Sequence, residues 1–389
     1  MKRTFVFLLV LMLAASSAEA KKIRVYTPKT APEAAAPAVP APAPSSAAEE
    51  PEVRNLIYMI GDGMGLTHVS MLMLEEEFVP TAFNHMQNIA LVSTYSANNR
   101  VTDSAAAGTA LATGQKTDNS RLGVTPDGTP VESIFAKAVR KQIPAGFVVT
   151  CKVQHATPGA FYAHAESRKQ YDIISHQLAE SGLTVAFGGG KKEMLTPDAT
   201  GTSAVDKLLR QGCRVIYDWS EAEDIRSGRV VGLFADDHMP SELNGRGDYL
   251  PHATRKALEI LDNEADGKGF VLMVEGSQID FESQDNNTAG ILAEMRDFEA
   301  AIVAAMRFAD NHPGTLLVVT ADHETGGLSA PSGKADFTAS ESGISYRYGT
   351  GGHTGTLVPA YFYGTGAELL NGVMDNTELA RRLTEILHL

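Results

Sequence analysis

The sequence predicts an α/β fold: a doubly wound, mostly parallel central sheet with helices on both faces. Three observations predict it. Strand-like apolar runs alternate with helix-period segments along the chain. Several of those runs are apolar at every position rather than every second one, as in strands covered on both faces. Acidic and histidine residues then fall directly after the runs, where open α/β sheets bind ligands beyond the carboxyl ends of their strands.

Taken in order, strands are expected at 55–60, 90–95, 146–151, 184–187, 214–217, 230–234, 270–274 and 315–320. Helical periodicity marks 133–141, 171–180, 252–264 and 290–311. A small-residue segment, Ser104-Ala105-Ala106-Ala107-Gly108-Thr109-Ala110, reads as a further helix with Ser104 at its head. Residues 180–247 carry no strong signature and are expected to supply a sheet edge, a rim or an interface. No internal repeat is present.

The N-terminus reads differently. Lys2 and Arg3, an apolar stretch over 5–15 and the small-x-small run Ala18-Glu19-Ala20 predict a secretory signal peptide over 1–20. Residues 21–52 are rich in proline and alanine and predict an extended tether rather than a domain. The folded part is expected over 53–389, about 340 residues, within reach of one large-sheet domain. No later apolar run is long enough to span a bilayer, so the expectation is an exported, periplasmic or secreted protein.

Formal charge is −14, and −15 once residues 1–20 are removed. Such a chain is poorly suited to nucleic acid backbones or anionic membranes. An anionic small-molecule substrate would need a local cationic site, which bound metal ions supply. The two cysteines, Cys151 and Cys213, lie in apolar strand-like stretches. Buried thiols are favoured over a bridge, and two cysteines are too few for a thiolate cluster.

Four strand ends carry metal-type ligands. Asp62 follows the first run, His155 and Thr157 follow 146–151, Glu275 follows 270–274, and Asp322 and His323 follow 315–320. Carboxylates with imidazoles suit zinc, and carboxylate with hydroxyl oxygen suits magnesium. Alone, Asp103-Ser104 is an ordinary helix cap. Beside such ligands, a serine among the unpaired N–H groups of a helix start points to displacement at phosphorus. One metal would lower the serine pKa and another would stabilise the leaving oxygen. Arg168 is the natural bidentate clamp for phosphoryl oxygens, with Asp103 placed to orient it.

The segments Tyr58-Met-Ile-Gly-Asp62-Gly-Met-Gly, Val101-Thr-Asp-Ser104-Ala-Ala-Ala-Gly, Gln154-His155-Ala-Thr157-Pro, Val274-Glu275-Gly-Ser-Gln-Ile-Asp280, Val319-Thr-Ala-Asp322-His323 and Gly352-His353-Thr354-Gly resemble the signature blocks of alkaline phosphatases, in the family's order. The resemblance implies an alkaline-phosphatase-like fold over 53–389. It also implies hydrolysis of small phosphate monoesters with broad scope and an alkaline optimum, through a phosphoserine at Ser104, with two zinc ions and one magnesium. It assigns Asp62, Asp322 and His323 to the zinc that activates Ser104, and Asp280 and His353 to the second zinc. Asp62, Thr157 and Glu275 fall to magnesium, and Arg168 to phosphate. A homodimer is compatible with it.

Three positions depart from the family pattern. Gln284 stands where a histidine usually completes the second zinc site, and amide oxygen is a weaker, harder ligand than imidazole. A weakened or altered second site is expected, with Glu282 or Asp285 as lesser substitutes. Phe281 stands where relatives carry a polar, basic or indole side chain near phosphate, so phosphate should bind less tightly. His155 stands where some bacterial members have aspartate, and is expected to meet phosphate through water.

The nearest alternative within the same metalloenzyme architecture is a phosphodiesterase, phosphonate hydrolase or mutase, whose members generally carry a threonine nucleophile or a larger cap. A catalytically impaired phosphate- or metal-binding protein is an alternative of a different class. A sulfatase is disfavoured because no Cys-x-Pro-x-Arg motif occurs. A serine esterase is disfavoured because no Gly-x-Ser-x-Gly elbow surrounds Ser104.

Overall fold

In a computed structural model that describes residues 52–76, 79–331 and 344–389, β1 (Asn55–Gly61) is buried at all seven positions. Alternate residues of a strand face opposite sides, so this burial requires cover on both faces of the sheet. The expected signal peptide and nearly all of the tether lie outside the described residues.

The chain continues through α1 (Leu66–Glu75), β2 (Asn88–Ser93), α2 (Ser104–Thr113), α3 (Ile134–Arg140), β3 (Ala145–Lys152), α4 (Ala156–Tyr162) and α5 (Tyr171–Glu180). Next come β4 (Val185–Gly189), α6 (Lys191–Leu195), α7 (Ala204–Arg210), β5 (Arg214–Ile216), β6 (Val230–Leu233), α8 (Tyr249–Glu264), β7 (Val271–Gly276) and α9 (Gln278–Gln284). The last part holds α10 (Thr288–Asn311), β8 (Thr315–Thr320), β9 (Glu324–Thr325), β10 (His353–Thr354), β11 (Val358–Gly364), β12 (Gly372–Asp375) and α11 (Asn376–Ile386).

Ten strands form one sheet in the order β12-β2-β11-β8-β1-β7-β3-β4-β6-β5. Only β11 runs against its neighbours, pairing antiparallel with β2 and β8. The sheet is therefore mostly parallel, as predicted, and all eight expected strands are present. Residues 180–247 provide β4, β6 and β5 at one edge. There Trp219 packs edge-on against Phe187, Phe234 and Tyr249, a small aromatic core.

Two strands of this sheet, and the short β9–β10 pair outside it, escape the sequence pattern. β11 contains Pro359, which lacks a ladder donor and argues against a sheet interior. It is tolerated as the second residue of the strand, before the pairing with β8 begins at Tyr361, and its carbonyl accepts the Thr320 hydroxyl at 3.0 Å. β12 is short and half exposed. Among helices, α4 was obscured by Thr157-Pro158-Gly159. Pro158 lies in the first helical turn, where a missing N–H costs nothing. α9 is a polar seven-residue helix with no apolar stripe.

The topology positions the site. Asp62, Glu275, Asp322 and His155 belong to or follow β1, β7, β8 and β3, and these are four adjacent central strands, β8-β1-β7-β3. Parallel pairing sets Ile60 opposite Glu275 and opposite Thr320, so the ligand-bearing ends lie level. Both cysteines are buried and unbridged. Among the described residues no helix is long and apolar enough to cross a membrane.

Candidate active site

Ser104 opens α2 as its first helical residue. The cap is Asp103, the first of the Asp103-Ser104 pair. Asp103 has extended backbone, and its Oδ1 accepts the Ala106 N–H at 3.0 Å. Its other oxygen accepts the Ser120 N–H at 2.9 Å and Arg168 Nη1–H at 3.2 Å. One carboxylate thus ends the helix, holds a loop and aims the arginine. Relieved of capping, the Ser104 hydroxyl faces inward, 1% exposed and 3.3 Å from His323 Nε2.

His323 Nε2 also lies 3.4 Å from Asp62 Oδ1 and 3.2 Å from Asp322 Oδ2. All three residues are fully buried. Burial is the main reason that Asp62 lies well above the ordinary carboxylate range, reinforced by Asp322, Asp280 and Glu275. Burial, with His353 nearby, pulls His323 down to about 3, so the imidazole is neutral and offers a lone pair.

A second group joins Asp280, His323 and His353, with one donor atom from each within 4.8 Å of the others. His353 Nε2 is 3.6 Å from Asp280 Oδ1, and its ring stacks on His323 with centroids 3.5 Å apart. His353 Nδ1 faces the Thr102 carbonyl at 2.9 Å, which fixes the ring. His323 therefore stands between both groups, although the resemblance assigns it to the first alone.

Thr325, absent from the sequence reading, donates its hydroxyl to Asp280 Oδ1 at 2.5 Å and lies 3.2 Å from His323 Nδ1. Only the return of β9 alongside the turn after β1 brings it there. That turn needs Gly63: φ is +74°, and a Cβ would meet Thr325 Oγ1 at 2.8 Å. The Gly63 N–H in turn donates to Asp322 Oδ1 at 3.1 Å.

Gln284 lies one turn after Asp280 on α9, but its amide nitrogen donates to Asp280 Oδ2 at 2.6 Å. It occupies an acceptor that a cation would use, which differs from the expected carbonyl ligand. Glu282 instead accepts Asn287 Nδ2–H at 2.6 Å. Phe281 is half-buried and meets His155 and His238 edge-on, with centroids at 5.6 and 4.9 Å. His238 carried no motif, and the long connection after β6 delivers it. His155 Nε2 lies 3.3 Å from Arg168 Nη2. Burial and Arg168 hold His155 well below its usual pKa.

The donor set fits metal ions. Both oxygens of Asp62, Asp322 Oδ2, Glu275 Oε1 and Thr157 Oγ1 are buried and find no hydrogen-bond partner among the described residues. Burying anionic oxygens unpaired costs several kcal/mol, of order 2–7 each even for neutral groups. Among the described residues no lysine or arginine pairs with Asp62, Asp322 or Glu275. Burial pushes Glu275 up to about 7. Bound ions would supply the positive charge that keeps these oxygens ionised.

A family model described as alkaline phosphatase matches residues 53–343. Alkaline phosphatase 3 of Bacillus subtilis is 30% identical, over 86% of this chain and 89% of its own. The alkaline phosphatase of the Antarctic bacterium TAB5 superposes with a TM-score of 0.81 at 34% identity, over 87% of this chain and 99% of its own. A single-substitution variant of that enzyme, with a TM-score of 0.79 at 33% identity over the same shares, has magnesium bound in its M3 site. The strand-end carboxylates, the buried serine and these similarities agree: the chain belongs to the alkaline phosphatase family and is a metal-binding phosphomonoester hydrolase of that superfamily.

Proposed function

We propose that Ser104 is the nucleophile of a broad-specificity phosphomonoesterase with an alkaline optimum, working through a phosphoserine. The observation that carries this is the Ser104 hydroxyl 3.3 Å from His323 Nε2, the nitrogen that also faces Asp62 and Asp322. Ser104 Oγ attacks phosphorus, the ester oxygen leaves with the alcohol, and water then releases phosphate from the serine.

Arg168 binds the non-bridging phosphoryl oxygens, its guanidinium oriented by Asp103. The start of α2 adds the partial positive charge of its backbone N–H groups. His155 stands beside Arg168 and, neutral, adds no cationic competition. Phe281, packed edge-on against His238, offers phosphate no hydrogen bond. Because only the phosphoryl group is gripped, the alcohol portion is weakly selected.

The cofactor set that suits these residues is two zinc ions and one magnesium. Asp62, Asp322 and His323 would hold one zinc. Asp280 and His353 would hold the other, with Gln284 beside them. Asp62, Thr157 and Glu275 would hold magnesium. When bound, the ions supply Lewis-acid activation of the serine hydroxyl and charge stabilisation at the leaving oxygen. We also propose export to the periplasm or medium through removal of residues 1–20, which N-terminal sequencing of the exported protein tests.

Turnover of p-nitrophenyl phosphate and of its bis-ester, with and without chelator, tests the activity. Metal-dependent monoester hydrolysis exceeding diester hydrolysis is expected, along with its loss in Ser104→Ala. Diester preference would favour the phosphodiesterase alternative. No monoester turnover with zinc, magnesium, manganese or cobalt would refute the proposal.

A further inference from the structure

His68, the third residue of α1, is fully buried, and its two ring nitrogens reach different elements. The Gly65 N–H donates to Nδ1 at 3.1 Å, in the turn that links β1 to α1. Nε2 lies 3.0 Å from Ser283 Oγ on α9. Because Nδ1 accepts, the neutral ring carries its proton on Nε2 and donates it to the serine. Burial keeps the ring neutral by pulling its pKa down to about 4. Ser283, also fully buried, donates its hydroxyl to the Ile279 carbonyl at 2.6 Å. The hydrogen bonds therefore run in one direction, and each donor has an acceptor.

The elements joined in this way carry the two donor groups of the site. The turn after β1 holds Asp62 and directs the Gly63 N–H to Asp322 Oδ1. On α9, Asp280 follows Ile279 and Gln284 follows Ser283. The turn and the helix are in close contact: a Cβ on Gly63 would lie 3.0 Å from the Asp280 Cα. At that range a small slide of α9 changes the separation of Asp280 from Asp62 and Asp322. Such a slide would strand the buried Nε2–H of His68, so the hydrogen bond opposes it.

We propose that His68 is a positioning residue for the metal centre. Through Ser283 it fixes α9 on the turn after β1, and so sets the spacing between the Asp280–His353 group and the Asp62–Asp322 group. The proposal rests on reading these two groups as zinc sites, and not on the reaction they serve.

The test measures zinc binding to the full chain by competition with a chelator of known affinity. His353→Ala identifies the equivalent that belongs to the Asp280 group. Two substitutions divide the duties of the ring. His68→Asn keeps an acceptor for the Gly65 N–H but falls short of Ser283. His68→Gln keeps an N–H that reaches Ser283 but gives up the Gly65 contact. Positioning predicts that the Asp280 equivalent weakens about tenfold in His68→Asn and stays within about twofold of the parent in His68→Gln. A role confined to the start of α1 predicts the reverse order. Ser283→Ala, which removes one hydroxyl, should weaken the same equivalent about tenfold and add nothing to His68→Asn. The reverse order, or parent-like zinc affinity in Ser283→Ala, would overturn the proposal. So would a parent in which His353→Ala removes no zinc equivalent. Binding needs no turnover, so the two readings fail separately. Monoester hydrolysis with zinc affinity unchanged in these variants refutes the positioning role and leaves the phosphatase. The expected affinities without hydrolysis refute the activity and leave the positioning role.

Discussion

Gln284 and Asp280 are joined by an amide N–H donated to Oδ2 at 2.6 Å across one turn of α9. A residue in the place of a usual zinc ligand therefore occupies the lone pair of its neighbouring ligand. Replacing it with histidine exchanges a competitor for an imidazole donor. Gln284→His is expected to raise zinc affinity at the Asp280–His353 site by about tenfold or more and to shift the metal optimum toward zinc. Metal content after dialysis and a metal–activity profile check this, and no change in either would count against it.

Phe281 presents no donor to phosphate and rests edge-on against His155 and His238. In Phe281→Lys an ammonium can reach a phosphoryl oxygen. A charge-assisted hydrogen bond contributes about 1.5 kcal/mol or more, roughly tenfold in affinity. The inhibition constant of inorganic phosphate should fall by about that factor. An unchanged constant would show that this position does not face phosphate.

Asp103 has three duties, and substitution can separate the helix cap from the other two. Asparagine keeps a capping oxygen for the Ala106 N–H but loses the oxygen that accepts the Ser120 N–H and orients Arg168. Asp103→Asn should cost about 1 kcal/mol of stability through the lost Ser120 acceptor and reduce kcat/KM, chiefly by raising KM. Asp103→Ala should lose about 1 kcal/mol of stability in addition. Urea unfolding and steady-state kinetics on both variants decide the matter.

Far from the serine, Arg246 has a fully buried side chain that pairs with Glu294 and Asp297, the latter at 2.8 Å. It ties the connection before α8 to α10. Arg246→Met strands two buried carboxylates and should cost about 3–5 kcal/mol in urea unfolding. Burial pushes Asp297 up to about 7, against the opposing pull of Arg246. A raised native pKa means that the folded state holds a proton the unfolded state has lost. Its contribution is complete below about pH 4 and disappears as pH rises through about 7. The stability difference between parent and Asp297→Asn should therefore shrink over that window and level off above it. A difference that does not vary with pH would refute the shifted titration.

Metal removal has a stated direction as well. Ions that bind only the folded chain stabilise it by mass action, about 4 kcal/mol at a thousandfold excess over Kd. Chelation should lower the melting temperature in proportion to the free metal withdrawn. Ser104→Ala, which leaves the carboxylates and imidazoles in place, should show the same dependence. A melting temperature indifferent to chelator would contradict the metal reading of Asp62, Glu275 and Asp322.

The sequence by itself determined β1, β3, β7 and β8, because strands covered on both faces must be apolar throughout. It also determined the residues at their ends, because chemistry in open sheets collects there. It could not show that these strands are adjacent, since strand order depends on crossovers and not on local pattern. It paired His323 with Asp62 and Asp322, whereas the fold stacks it on His353 as well. Thr325 and His238 sit in no motif and reach the site only through the β9 return and the connection after β6. Gln284 was visible as a departure, yet whether its amide or its carbonyl turns to Asp280 is a matter of side-chain geometry. Local pattern encodes burial and periodicity. Which donors share one pocket is decided by contacts between residues hundreds of positions apart, and only the tertiary structure holds those.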